Sequence, residues 1–342
     1  MPMLSCQNSH HFCVNSRKKM ALKICLALCT YNGANFLEEQ LASLASQTRK
    51  PDLLVVSDDA SDDETLHILE SFSQSSPFPV KIYVNPTNLG YVKNFEKAIK
   101  LCHGNIIALV DQDDVWLPEK LEKVVNVFER DRSINLIFSD AEVVDSTLSS
   151  LGYSLWESIG FDRQKQSIFQ QGNAFELLLR RNYVTGATMA FRSEYRDILL
   201  PFPKDWGHDG WIAALMSVIG KIYPIQEKLI LYRQHQENII GGQTQSFSEM
   251  LSIARKRGRQ NYQRRYRKHK ILSERLKLND YFKIDLKTML LLENKIQHSF
   301  KLYNLPENKF LRIAPVFQEF SLGNYHRYGN GFQSLLEDLF VI

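Results

Sequence analysis

The stretch Ile106-Ile107-Ala108-Leu109-Val110-Asp111-Gln112-Asp113-Asp114 runs five apolar residues into three carboxylates within four positions. A continuous apolar run of this length, bounded by polar residues, reads as a strand buried on both faces, as in a parallel sheet. The carboxylates stand at its carboxyl end, where open α/β sheets bind their ligands. Clustered carboxylates repel one another unless a cation or a set of donors neutralises them, and hard divalent ions prefer oxygen ligands. Mg²⁺ is commonly held by one or two carboxylates together with substrate phosphates, so the cluster predicts a metal-diphosphate site. Helix capping competes for Asp114, because Pro118 and Glu119 fall in the expected first turn of a helix over WLPEKLEKVV.

Strands and helices alternate on either side of this stretch. KICLALCTYNG (23–33), LLVVSDD (53–59) and VKIYVN (80–85) read as strands, and FLEEQLASLASQ (36–47), 65–72 and 92–101 as helices. Downstream, LIFSDAEVVD (136–145) is a further strand, and residues from about 150 to 182 read as a loop and helix before YVTGATMAFR (183–192). DWGHDGWIAALMSVIG (205–220) gives an acidic turn and a helix, and KIYPIQEKLILYRQH (221–235) gives strands ending in a polar motif. The pattern predicts an α/β fold with a mixed, mostly parallel sheet covered on both faces. Thr30-Tyr31-Asn32, Asp58-Asp59 and Asp111 to Asp114 all lie at carboxyl strand ends and are expected to share one crevice.

Asp58-Asp59-Ala60-Ser61-Asp62-Asp63 is a second acidic turn. Ser61 followed three residues later by Glu64 has the spacing of a capping box, which assigns Ser61 and Asp62 to structure and leaves Asp58 and Asp59 for a base or ribose. No GxGxxG and no Walker A sequence occurs, which counts against a dinucleotide oxidoreductase or a P-loop NTPase.

The chain has 342 residues, 44% hydrophobic and 23% charged, enough apolar material for a core and too much for a disordered or fibrous protein. The net charge of +4 is mild and does not by itself argue for nucleic acid. Five cysteines show no CxxC pair or zinc spacing, and Cys25 and Cys29 in an apolar run read as buried thiols of a reducing cytosol. No apolar stretch is long enough to span a bilayer, so the expected location is cytoplasmic. Residues 1–19, polar and ending in Arg17-Lys18-Lys19, read as a disordered extension that a start at Met20 would explain. From 246 to 342 the chain reads as a basic helical region, with nine Lys and Arg between 255 and 270. That run is either a solvated helix face or a surface drawn to anionic lipid, at about 1 kcal/mol per basic residue. Stacking aromatics are limited to Tyr262 and Tyr266, so no nucleic-acid partner is expected.

The ordered series CTYNGANFLEEQLASLASQT, VVSDDASDDET, NPTNLGYVKNFEKAI, ALVDQDDVWLPEKL, GHDGW and YRQHQENIIGG resembles the family 2 glycosyltransferases, which have the GT-A (Rossmann-like) fold. DQDDVWLPEKL with HDGW and YRQH looks most like a rhamnosyltransferase-like bacterial branch that builds polysaccharides such as O-antigen. The resemblance implies a catalytic domain over 20–245 with a helical appendage behind it. It implies an inverting, metal-dependent transfer (Mg²⁺ or Mn²⁺) of a sugar from a nucleotide-diphosphate donor, dTDP-rhamnose or a UDP-hexose, to a glycan or lipid-linked glycan, with the enzyme on the inner face of the cytoplasmic membrane.

Residue by residue, the resemblance puts Thr30 and Asn32 in the nucleotide pocket and Asp58 with Asp59 at base and ribose. Asn88, Gly90 and Asn94 fall in the segment that closes over the donor, with Lys93 approaching phosphate. Asp111 and Asp113 fill the DxD position as donor and metal contacts, Asp113 first, and His235 is a further metal or diphosphate ligand. Asp209 matches the catalytic base, and Gly186, Trp206 and His208 border the acceptor. On residue type alone, Asp209 could cap the helix WIAALMSVI, Gly186 could serve a turn, and His235 could make a structural hydrogen bond. Two rival functions remain at this stage: a non-catalytic nucleotide-sugar scaffold of the same fold, and a sugar nucleotidyltransferase, whose Gly-rich basic phosphate loop is absent.

Overall fold

A computed structural model of the chain describes residues 21–235, 247–278 and 282–340, with the backbone alone over 247–259. The expected 1–19 extension, the tract after His235 and the side chains of Arg255-Lys256-Arg257 lie outside the described residues.

The first half alternates regularly: β1 (Ile24–Thr30), α1 (Ala34–Ala45), β2 (Leu53–Asp58), α2 (Thr65–Ser75), β3 (Val80–Val84), α3 (Tyr91–Leu101) and β4 (Ile106–Val110). The second half holds β5 (Val115–Trp116), α4 (Lys120–Arg130), β6 (Ile134–Val144), β7 (Ser150–Ser154), α5 (Leu155–Ser158), α6 (Arg163–Gln170) and α7 (Ala174–Leu178). It ends with β8 (Met189–Arg192), α8 (Arg196–Leu199), α9 (His208–Ile219) and β9 (Lys221–Arg233). Helices α10 (Phe247–Lys277), α11 (Leu286–Tyr303), α12 (Lys309–Ser321), α13 (Asn324–Tyr328) and α14 (Phe332–Phe340) follow.

The sheet runs β3-β2-β1-β4-β8-β6-β9-β5, with β7 paired to β6. β1 is parallel to β2 and β4, and β2 to β3, whereas β8 is antiparallel to both β4 and β6. Every residue of β1 is buried because the strand feeds two cores by alternation. Leu26 and Leu28 pack with Leu37, Leu41 and Leu44 of α1; Cys25, Ala27 and Cys29 pack on the side of Phe95, Ala98 and Ile99 of α3. Cys25, Cys29 and Cys102 are buried free thiols.

The region read as loop and helix between 150 and 182 instead contains a strand, β7, and three short helices. The exposed Ser150, Leu151 and Gly152 lack the apolar alternation that would have marked β7. The expected capping box at Ser61 and Glu64 does not form, since α2 starts at Thr65 and Glu64 makes no side-chain cap bond. Asp114 does not cap a helix either, because two residues of strand and a turn separate it from α4.

The C-terminal helices share a core with the sheet. Leu272 and Leu276 of α10 and Leu292 and Ile296 of α11 belong to the same apolar cluster as Phe95, Trp206 and Trp211. A second cluster joins Tyr262, Leu302, Val316, Tyr325, Leu335 and Leu339 within the helical region. Among the described residues no helix is long and apolar enough to cross a membrane.

Candidate active site

Parallel pairing of β1, β2 and β4 aligns their carboxyl ends, where Thr30 lies opposite Asp58 and Leu28 opposite Val110. Gln112 ties the ends together: its side chain accepts from Tyr31 N–H at 2.8 Å and donates to Tyr31 O at 3.1 Å. Asn32 sits in the left-handed region at φ 47°, its N–H on Ser61 Oγ and its Oδ1 on Asp62 N–H, a conformation that Asn tolerates. Asp58 is fully buried and takes donors from Thr30 Oγ1 (2.8 Å), Ser61 Oγ (2.6 Å) and Ser61 N–H (2.9 Å).

Asp59 is likewise buried and accepts from Asn85 Nδ2 and from the N–H groups of Leu89 and Gly90, all within 2.8 Å. Asn88 Oδ1 shares the Gly90 N–H. Asn94 donates to Ser57 O and Thr30 O and accepts from Asn85, holding α3 to β1 and β2. Lys93 binds Glu96 and the Phe202 carbonyl. The structure therefore makes Asp58, Asp59 and Asn94 the fasteners of the loops around the cleft, with Asn88 and Gly90 on a loop that Asp59 anchors.

Asp111, Asp113 and Asp114 occupy different surroundings. Burial, then repulsion from Asp113 and Asp209, pushes the Asp111 carboxyl up to about 7. Asp113 Oδ2 meets His235 Nε2 at 2.9 Å, and the His235 ring lies 4.7 Å from that of Phe36. Asp114 is buried and accepts the Arg233 N–H at 3.0 Å. Two buried cations answer this charge, and neither was singled out from the sequence. Arg233 binds the Asp113 and Ser146 carbonyls and pairs with Glu39. Lys120 stands 4.1 Å from the Trp116 ring centroid and donates to Ala187 O, its ammonium brought down to about 7 by burial against the opposing pull of Asp114 and Asp111. The Lys in WLPEK and the Arg in YRQH were visible, but only contacts 67 to 194 residues away give them these roles.

Asp209 arrives from the other half of the sheet on the first turn of α9, where Gly207 holds the cap position. Asn182 Nδ2 donates to its Oδ2 at 2.9 Å and Gly210 N–H to its Oδ1 at 2.6 Å. Its field reaches Asp111, and the Tyr232 phenol is raised by burial and then by Asp114, Asp111, Asp113 and Asp209. Asp209, from the second half of the sheet, thus acts on the same groups as the carboxylates at the end of β4. His208 is stacked on Phe95 at 4.2 Å and buried, with neither ring nitrogen hydrogen-bonded; burial holds its ring below the usual range. Gly186 lies against it, so that a Cβ there would stand 2.7 Å from His208 Nε2. Trp206 is buried beside Trp211 rather than open to the cleft.

Among the described residues no three His, Cys, Asp or Glu side chains close into a metal cage. The donor set nevertheless suits a divalent cation: the Asp113 carboxylate with an imidazole beside it, and a buried Asp111 carboxyl raised by burial and then by Asp113 and Asp209, whose charge a cation would offset.

A parallel half, β3-β2-β1-β4, joined through the antiparallel β8 to a second half of the sheet, is the GT-A transferase fold. Two solved structures share it: mannosyltransferase PcManGT from Pyrobaculum calidifontis in complex with GDP-Man and Mn²⁺ (TM-score 0.54, 15% identity, 94% of this chain and 86% of that one), and S. aureus TarS 1-349 in complex with UDP-GlcNAc (TM-score 0.53, 16% identity, 92% and 91%). Residues 25–197 match glycosyl transferase family 2, and the chain belongs to that family. It is 26% identical over 221 residues to an uncharacterized glycosyltransferase of Nostoc sp., covering 64% of this chain and 66% of that protein. It is 28% identical over 243 residues to one of Haemophilus influenzae, covering 70% and 72%. It is also 26% identical over 227 residues to dTDP-rhamnosyl transferase RfbG of Shigella flexneri, covering 63% and 73%. The chain spans about two thirds of the length of the Nostoc relative.

Proposed function

We propose that the chain is an inverting, metal-dependent glycosyltransferase moving a sugar from dTDP-rhamnose or a UDP-hexose to a hydroxyl of a glycan or lipid-linked glycan in bacterial cell-surface polysaccharide synthesis. One observation supports this reading: Asp209, on the first turn of α9, acts on Asp111 and, together with Asp111, Asp113 and Asp114, on the Tyr232 phenol. In the reaction the acceptor oxygen bonds to the anomeric carbon as the bond to the β-phosphate oxygen breaks. The hydroxyl proton goes to Asp209, which Asn182 orients, and the nucleoside diphosphate leaves. Asp111, Asp113 and His235 would hold Mg²⁺ or Mn²⁺, which would take up negative charge on the departing diphosphate. Thr30, Asn32, Asp58 and Asp59 shape the nucleotide side. A dTDP donor is favoured by the Shigella relative's name.

The test uses donor binding and turnover together. Asp209→Ala should keep metal-dependent donor binding and lose about 10²–10⁴-fold in turnover. Asp113→Ala should lose the metal dependence of binding, and wild-type donor affinity in that variant would count against the assignment. Metal-dependent binding of every common nucleotide sugar with neither hydrolysis nor transfer would favour the scaffold reading. Peripheral attachment to an anionic membrane is part of the proposal. It is supported by the exposed Arg265 and Lys270 of α10 and by exposed Phe310, Phe317, Phe332 and Phe340 on α12 and α14.

A further inference from the structure

The basic stretch of α10 does not stand clear of the catalytic half. Trp206 Nε1 donates to the Lys268 carbonyl at 3.0 Å, Arg264 to the Asp205 carbonyl at 3.4 Å, and Arg267 pairs with the Asp205 carboxylate at 3.4 Å. One or two turns on, Arg275 binds the carbonyls of Ile198, Leu200 and Pro201 and lies 5.2 Å from the Trp211 ring centroid. The helix therefore grips the segment from 198 to 211 that delivers Asp209.

Within this contact Lys268 is anomalous. Its ammonium is half-buried, 4.2 Å from the Trp206 ring centroid, and makes no hydrogen bond or ion pair among the described residues. Burial and the charges of Arg264 and Arg265 push it down to about 8 against the pull of Asp209 and Asp205. A lysine on a solvated helix face keeps its charge in water, and the Trp206 ring replaces only part of the hydration that burial removes. Arg264 is exposed beside it, and its charge is felt together with that of Asp209 at the Tyr91 hydroxyl, on the first residue of α3. Both nitrogens of the buried His208, the residue before Asp209, are also unpartnered.

We propose that Lys268 and Arg264 form a cationic wall of the acceptor side, and that the acceptor carries an anionic group, phosphate or carboxylate, near its reacting hydroxyl. This rests on Asp209 being the base. With a neutral acceptor the half-buried ammonium keeps only the Trp206 ring and the more distant pull of Asp209 and Asp205. An anionic acceptor supplies the missing counter-charge and orients its hydroxyl through it.

The experiment measures binding of glucose, glucose 1-phosphate and glucuronic acid to the full chain by saturation-transfer NMR, with UDP and Mn²⁺ saturating the donor side. At least one anionic sugar should bind tenfold or more tightly than glucose, and which one does so distinguishes phosphate from carboxylate. Lys268→Met with Arg264→Gln should reduce the advantage below twofold, whereas Lys268→Arg should keep most of it. Arg264→Gln alone, at an exposed position, should give a partial loss with an unfolding midpoint unchanged from wild type. Equal binding of all three sugars to wild type, or an advantage surviving in the double variant, would overturn the proposal. An intact advantage with no donor turnover would sink the transferase reading and leave this surface standing; turnover onto neutral sugars with no charge preference would do the reverse.

Discussion

Gly186→Ala tests how closely the two sides of the cleft are fitted. The new Cβ would lie 2.7 Å from His208 Nε2, 3.5 Å from Cε1 and 3.7 Å from Cδ2. Reaching ordinary contact at 3.4 Å requires a retreat of about 0.7 Å. His208 has little room to make it: its ring is stacked 4.2 Å from Phe95, which is 3% exposed, and edge-on to Tyr91 at 5.9 Å. Overpacking of this kind costs about 1–3 kcal/mol. His208 also precedes Asp209 on the same helical turn, so a shift approaching 1 Å would misplace the proposed base and cost on the order of 10²-fold in turnover. Urea unfolding gives the first quantity and a donor-hydrolysis assay the second. The decisive comparison is a double-mutant cycle with His208→Ala, which removes the obstructing ring. If the clash is the cause, the double variant should be about 1–2 kcal/mol more stable than the two single effects added together. Additive effects, or a Gly186→Ala protein within about 0.3 kcal/mol of wild type, would refute the reasoning and return Gly186 to a turn role.

Three further outcomes follow from the helical region. Lys295 is buried with its ammonium on the Tyr328 carbonyl, and burial followed by Arg265, Arg180 and Lys268 brings it down to about 7. The unfolded chain then binds the extra proton between about pH 7 and 10, so stability should rise with pH there by up to about 1.4 kcal/mol per unit; unfolding midpoints at pH 7, 8 and 9 should show a smaller slope in Lys295→Met, and identical slopes would contradict this. Ending the chain after residue 245 removes Leu272, Leu276 and the Arg275 bonds from the core around Trp211 and should abolish cooperative unfolding by calorimetry; a cooperative fragment with wild-type donor affinity would disprove the shared core. The full chain should co-sediment with anionic liposomes and lose that binding at high salt. Equal sedimentation with neutral vesicles would count against electrostatic attachment.

The alternation of strands and helices was legible because burial on both faces leaves a local mark: Ile24 to Thr30 and Ile106 to Val110 are apolar throughout and buried throughout. β5 and β7 escaped because a two-residue strand and an exposed one carry no such mark. The helical C-terminal region was equally plain, but nothing local told that its basic face would close on residues 198–211.

The site was legible in its anions and not in its cations. Carboxylates at strand ends announce themselves, since clustering of like charge at a ligand-binding edge has few structural excuses. What meets them is drawn from far along the chain: the Arg233 N–H reaches Asp114 across 119 positions, and His235 reaches Asp113 across 122. The failed capping box at Ser61 shows the same competition on a small scale. Capping would have given Ser61 one exposed helix N–H, whereas Asp58, with no exposure at all, had no water to bond and needed donors from the protein. The buried carboxylate took both the Ser61 hydroxyl and its N–H. A local pattern therefore yields where a buried charge nearby needs the same group more, and that need becomes visible only once the fold has set the burial.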